Sequence, residues 1–281
     1  MKLSELLSRG RPTVSCELFP PKVGTTLDQV EGVLRDTAAL RPDFISVTYG
    51  AGGSTSKRTQ EIAVRLQDTY HVPALAHLTC VSSTREEISS MVAALRAAGI
   101  ENILALRGDI PKDGNIQNDY RYASELIREI RESGDFCIGA ACYPEGHVES
   151  VNKTEDIQHL KEKVEAGCDF ITTQMFFDNE KFFSFVDRCR AAGITVPIVP
   201  GLKPISKASQ LTLLPRVFHV DIPDMLVREI VKCKDDSQVK QVGIDWCTAQ
   251  SLELKAKGVP SIHYYSLMAV DSVYQVAKSV Y

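Results

Sequence analysis

The chain has 281 residues, 44% of them hydrophobic and 24% charged, with a formal charge of −4. That length suits a single α/β barrel and can bury an ample core. The near-neutral charge, with no basic block, argues against nucleic acid or an anionic membrane surface as partner, and no stretch approaches the roughly 20 apolar residues that span a bilayer.

At the start, MKLSELLSRGRPT has no apolar core of signal-peptide length. The cysteines at 16, 80, 137, 142, 168, 189, 233 and 247 include no C-x-x-C and no zinc-ribbon spacing. Most sit in apolar patterns, as buried thiols do, so a reducing cytoplasm is the expected location.

Strand-like and helix-like segments then alternate. Apolar, β-branched runs fall at 13–19, 43–49, 73–80, 102–108, 136–143, 169–176, 196–202 and 261–267. After the third run, Ser83-x-x-Glu86 has the spacing of a capping box, ahead of Ile88, Met91, Val92 and Leu95 on one helical face. Asn152 and Thr154 offer caps for one later helix, and Asp178 or Asn179 for the next. The repeated Arg-Ala-Ala-Gly at 96–99 and 190–193 predicts glycine C-caps. Residues 222–258 hold two helical patterns within one connection, and the last helix carries Val270, Val273, Tyr274 and Ala277 on one face. Strands alternating with helices predict parallel pairing, and closing eight such units predicts a (β/α)8 TIM barrel with extra helices before the last strand. A doubly wound open sheet is the runner-up, weakened by the lack of G-x-G-x-x-G after the first strand.

In such barrels the chemistry lies at the C-terminal strand ends. There the chain places Glu17, Thr48 and Tyr49, His77, Arg107-Gly108-Asp109, Tyr143 to His147, Gln174, Lys203 and Tyr265. Each has a plain reading. Glu17 could be a rim acid beside a basic neighbour, His77 a satisfied core histidine, Arg107 and Asp109 a local ion pair. The glycine-rich loop 50–54 could be a tight turn or a phosphate cradle. Their gathering at one end points to one pocket.

The segments SCELFPPK (15–22), VTYGAGGS (47–54), HLTC (77–80), LRGD (106–109), YPEGH (143–147), TQMFFD (173–178) and PIVPGLKPI (197–205) together resemble the bacterial methylenetetrahydrofolate reductases over nearly the whole chain. The resemblance implies one catalytic domain over 1–281, without the regulatory domain of eukaryotic relatives, with FAD as bound cofactor and NADH or NADPH as possible electron donor. It implies reduction of 5,10-methylenetetrahydrofolate to 5-methyltetrahydrofolate in a homo-oligomer. Carried over by position, Glu17 is the general acid and Asp109 the second catalytic group. Thr48, Tyr49, Ala51, His77, Arg107, Gly108, Asp109, Tyr143, His147, Asp156 and Lys163 are cofactor positions. Asp109, Gln174 and Gln210 meet the folate. Leu267-Met268-Ala269 replaces the polar-basic pair that holds the folate glutamate tail in relatives, which leaves Lys203 or Lys207 for that task. Leu214 stands where well-studied members carry a stacking aromatic. The competing readings are a subunit taking electrons from a partner protein, and a pterin-binding one-carbon transferase without redox chemistry.

A general acid at neutral pH must hold its proton, whereas an exposed Glu ionises near 4.3. Glu17 lies between Cys16 and Leu18–Phe19, so desolvation by these neighbours is the expected way to raise its pKa.

Overall fold

The computed structural model describes residues 1–19, 27–49, 56–110, 116, 119–266 and 270–281. Ala51, the 50–54 loop, Pro20–Pro21 and Leu267–Ala269 lie outside the described residues. Eight strands form a closed barrel in chain order: β1 (Thr13–Leu18), β2 (Phe44–Val47), β3 (Ala74–Thr79), β4 (Asn102–Leu106), β5 (Cys137–Cys142), β6 (Phe170–Met175), β7 (Ile198–Leu202) and β8 (Ser261–Tyr265). All neighbours pair in parallel, and β1 closes against β8 with Glu17 opposite Tyr265. This is the expected (β/α)8 barrel.

Helices follow the strands: α1 (Leu3–Leu7) precedes the barrel, and α2 (Leu27–Ala38), α3 (Ser56–Asp68), α4 (Arg85–Ala97), α5 (Ala123–Ser133), α6 (Lys153–Glu165) and α7 (Asn179–Ala191) fill the first six crossovers. The seventh crossover holds α8 (Gln210–Phe218), α9 (Asp224–Val231) and α10 (Asp236–Ala256), and α11 (Val270–Val280) ends the chain. The two helical patterns of 222–258 are α9 and α10. α8 is additional, and carries Pro215 inside it.

The helix signals hold with two shifts. The capping box is one residue later than expected: Thr84 Oγ1 accepts from Glu87 N at 3.2 Å, and Glu87 Oε2 accepts from Thr84 N at 2.9 Å. Of the candidate caps, Asn152 rather than Thr154 caps α6, and Asp178 rather than Asn179 caps α7. Gly99 and Gly193 have φ of +72° and +83°, the left-handed geometry that ends a helix without a Cβ clash. In α11 the buried face is Val273, Val276 and Val280, while Tyr274 points out at 46% exposure.

Strand alternation divides the core in two. One set of side chains, Cys16, Leu18, Ile45, Val47, Ile103 and Ile138 among them, packs between strands and helices. The other faces the barrel axis. At its N-terminal end, Phe44, Leu75, Leu104, Phe170 and Val199 are closed off by Leu3, Leu6 and Leu7 of α1. Asn102 ties the plug down: its Oδ1 accepts from Leu3 N at 2.8 Å and its Nδ2 donates to Met1 O at 3.2 Å. The apolar filling therefore stops short of the C-terminal end, where a cavity opens.

Candidate functional site

The cavity has a volume of about 1320 Å³ and sits at the C-terminal strand ends. Glu17 from β1, Thr48 and Tyr49 after β2, His77 from β3 and Arg107, Gly108 and Asp109 after β4 line it. Tyr143 and His147 after β5, Asp156 and Lys163 from α6, and Gln174 from β6 complete the expected set. Gln210 does not line it. That carboxamide sits in the first turn of α8, where its Oε1 accepts from Ser206 N at 2.7 Å and Lys207 N at 3.2 Å.

Glu17 is 6% exposed, and burial pushes its carboxyl up to about 8, with the Lys203 charge pulling the other way. The burial does not come from the sequence neighbours expected to supply it. Cys16 and Leu18 belong to the layer between strands and helices, on the other side of β1, and Phe19 is 41% exposed. The barrel interior desolvates Glu17 instead. His77 Nε2 stands 3.9 Å from Glu17 Oε2. Burial, and secondarily the His263 ring, lower the His77 pKa to about 3, so this imidazole is neutral and the contact is not an ion pair. Its Nε2 has no hydrogen-bond partner among the described residues. Below it His263 is held by Ser15 Oγ at 2.9 Å and lies edge-on to Tyr265 with ring centroids 5.1 Å apart.

Tyr265 reaches over β7 and donates from Oη to Thr173 O on β6 at 2.6 Å. Gly201 makes room for it, since a Cβ there would lie 2.4 Å from Thr173 O and 2.5 Å from the Tyr265 ring. The sequence pattern left the role of Tyr265 open, because the alternation within β8 does not say which residue its hydroxyl reaches over β7.

The opposite wall is cationic but already partnered. Arg107 donates two bonds of 2.6 Å to Glu149, a fork-to-fork pair that sequence reasoning missed because its partners are 42 residues apart. Lys163 donates to Ala141 O at 2.9 Å, and burial lowers its pKa. His147 Nδ1 accepts from Glu149 N at 3.2 Å, leaving Nε2 as the protonated nitrogen, and the ring meets Tyr143 edge-on at 4.7 Å. Asp156 Oδ1 accepts from Ser150 Oγ at 3.1 Å. Gln174 Oε1 accepts from Met175 N at 2.9 Å, and Tyr49 Oη donates to Met91 Sδ at 3.5 Å. Thr48 is buried.

Phe176, Phe177, Leu214, Lys203 and Lys207 do not line the cavity. Phe176 and Phe177 are both core: the first stacks on Phe182 at 5.2 Å, and the second packs with Leu214 and Ile205. Leu214 is buried with Phe177, whereas Phe218, one turn further along α8, lines the cavity. Lys207 is exposed and Lys203 is 2% exposed, so Lys203 is an interior cation rather than a surface grip.

Comparison with known proteins points to one family. The family model for methylenetetrahydrofolate reductase matches residues 2–281. "Methylenetetrahydrofolate reductase 1" of Schizosaccharomyces pombe is 38% identical over 99% of the chain, which spans 48% of that relative's length. "5,10-methylenetetrahydrofolate reductase" of Pectobacterium carotovorum is 34% identical over 99% of the chain and 92% of the relative. The chain thus spans about half the length of the eukaryotic relative and nearly all of the bacterial one. A solved structure from Clostridium thermocellum, an uncharacterized protein that binds two copies of 5-methyl-5,6,7,8-tetrahydrofolic acid, shares the fold with a TM-score of 0.68 at 15% identity, covering 100% of this chain and 98% of that one. With the motifs, the barrel and the family match over nearly its full length in agreement, the chain belongs to the methylenetetrahydrofolate reductase family.

Proposed function

We propose that this barrel, acting as one catalytic unit, reduces 5,10-methylenetetrahydrofolate to 5-methyltetrahydrofolate with a bound FAD, and that Glu17 is the proton donor. The observation that carries the reading is a buried carboxyl, held up to about 8, on the wall of a cavity rich in donors. A flavin dinucleotide fits what the walls offer. At about 1320 Å³ the cavity exceeds the roughly 300–1,000 Å³ of ordinary small-molecule pockets, leaving room for cofactor and folate together. Arg107 and Lys163 are cations for pyrophosphate or ring oxygens, and His77 offers a buried nitrogen with no partner among the described residues. Thr48, Tyr49, Gly108, Tyr143, His147 and Asp156 line the same space. When bound and reduced, the flavin supplies the hydride.

The protein's own part is proton chemistry and positioning. Glu17 gives its proton to folate N10; the electron pair of the bond between the one-carbon bridge and N10 moves to N10, and an N5 iminium ion is left to be reduced. A carboxyl near 8 is still largely protonated at neutral pH, and its pKa lies close to the working pH, which favours general acid catalysis. Gln174 and Asp109 line the cavity as hydrogen-bond partners for the pterin, and Asp109 adds a negative charge facing the cationic intermediate. Gln210 Oε1 is taken up by Ser206 N and Lys207 N, which leaves its Nε2 as the group to offer the folate.

Glu17→Gln tests the reading. Flavin content and flavin reduction by NADH or NADPH should be retained, while folate turnover falls by roughly a thousand-fold, within the range for loss of a general acid. Normal folate turnover in that variant removes Glu17 from the role. Flavin-loaded wild type that oxidises neither nicotinamide yet turns over with a reduced dye indicates an electron-donating partner.

A further inference from the structure

We propose that Lys203 is a positioning residue for the proton donor: its buried ammonium, level with Glu17 across the closing seam of the barrel, balances the negative charge that Glu17 acquires when it gives its proton away. The inference rests on the reading of Glu17 as general acid and adds a second residue to that step.

Strand register supplies the geometry. Leu202 pairs with Tyr264, and Tyr264 pairs with Cys16. One residue further along each strand, Lys203 comes level with Tyr265, and Tyr265 is opposite Glu17. Two strand spacings of about 4.8 Å separate the backbones of Lys203 and Glu17, a gap that a four-carbon side chain can largely cover. Lys203 is 2% exposed, and its Nζ has no hydrogen-bond partner among the described residues. A buried ammonium without a partner is costly and calls for an explanation. Burial lowers its pKa to about 8, while the Cys247 thiol on α10 and Glu17 act to raise it.

Among the described residues, the other groups around Glu17 offer no competing charge. Cys16 on the same strand is pushed up to about 12 and stays a thiol. Ser46 on β2 and Thr48 just beyond it do not ionise. His77 on β3 and His263 on β8 are both lowered to about 3 by burial and are neutral. Burial holds the Tyr265 phenol well above its usual range, with its proton donated to Thr173 O. Cys247, beside Lys203, is pushed up to about 12. Lys203 is therefore the cation that acts on Glu17 among the described residues.

The charges balance. Before transfer the pair is a neutral carboxyl and an ammonium. The O–H bond of Glu17 breaks, an N–H bond forms at folate N10, and the pair becomes carboxylate and ammonium while the substrate carries the positive charge. The barrel is not left with an isolated buried anion, and the pair regains its proton from solvent after turnover.

The experiment uses flavin-loaded protein with Lys203→Met, which keeps the length and removes the charge, and Lys203→Arg, which keeps the charge. The pH profile of folate-dependent reoxidation of the reduced enzyme is measured alongside an infrared titration of the Glu17 carboxyl band, assigned with Glu17→Gln and recorded without folate. In Lys203→Met the falling limb and the infrared midpoint should both move up by about one pH unit or more, as expected on loss of an opposite charge, with up to about a tenfold lower plateau. Lys203→Arg should stay near wild type. A Lys203→Met midpoint that coincides with wild type overturns the proposal, as does a lower plateau with an unmoved limb, which marks a packing role. Should the Met variant not fold, Lys203→Gln is read in the same way. Because the infrared titration needs no folate, it tests the pair separately: wild type without folate turnover sinks the reading of the site, while an unmoved band sinks only the role of Lys203.

Discussion

At the N-terminal end of the barrel, Leu3, Leu6 and Leu7 close on Phe44, Leu75, Leu104 and Phe170, and Asn102 bonds the backbone of both the plug and β3. At the C-terminal end, Glu17 and Lys203 are equally buried, yet the His77 nitrogen and the Lys203 ammonium have no hydrogen-bond partner among the described residues. Both sets of side chains are buried, but among the described residues only the second leaves polar atoms without partners. The first end gains stability from its burial; the second carries a desolvation penalty that keeps one carboxyl protonated. Stability and chemistry are thereby separated along one barrel axis, and each can be perturbed without the other.

The largest expected effect is at the plug. Leu6→Ala removes a side chain that is 2% exposed, and large-to-small core changes of this kind cost about 2–5 kcal/mol. Urea unfolding should show the loss as a lower midpoint, while flavin content per folded molecule and folate turnover remain at wild-type levels. A change in turnover with stability intact would mean that the two ends are coupled.

A smaller effect, of opposite sign, is expected at the acid. The Glu17 pKa is raised from its ordinary 4.5 to about 8 in the folded chain. Between those values the folded state binds more protons than the unfolded one, so Glu17 makes stability fall as pH rises through that window. Glu17→Gln lacks this slope and should gain on the order of 2 kcal/mol relative to wild type between about pH 6 and pH 8. The histidine contributions, which strengthen with rising pH from about 3 to 6.5, are common to both proteins and cancel in the difference. Lys203, lowered to about 8, contributes its own pH dependence above that window. Parallel stability curves for the two proteins would show that Glu17 is not held protonated by the fold.

How much of this was legible in the sequence depends on distance along the chain. Each of the eight apolar runs became a strand because period-two alternation and flanking helices are local signals. The strand-end acids and bases converged because closure brings every strand end to one rim. Features set by closure itself were hidden. Cys16 and Leu18 read as the surroundings of Glu17, but alternation turns them to the far side of β1, and residues of β3 and β8 surround the acid instead. The Arg107–Glu149 fork joins two loops, and the Lys203–Glu17 row exists only once β7, β8 and β1 are in register. α8 was not read from the sequence, and Pro215 inside it weakens the local helix signal. α1 was missed because five residues give too few turns for a period.

The smallest effect sharpens the comparison on the cavity's own walls. Asp109 lines the cavity but is exposed, unlike Glu17. The neighbouring Arg107 is committed to Glu149, and no ion pair holds Asp109 among the described residues. Its negative charge therefore acts on whatever binds beside it, weakened by solvent. With a flavin bound there, that charge disfavours the more negative reduced ring, so Asp109→Asn should raise the midpoint potential, by about 30 mV, equivalent to about 1.4 kcal/mol for a two-electron couple. A higher potential lowers the driving force for hydride delivery, so folate reduction should slow in parallel while Glu17 titrates as in wild type. Spectroelectrochemical titration of the flavin-loaded variant gives the potential directly. An unchanged potential would assign Asp109 to substrate binding alone, and a shift in the Glu17 titration would show that the exposed wall and the buried acid share one electrostatic network.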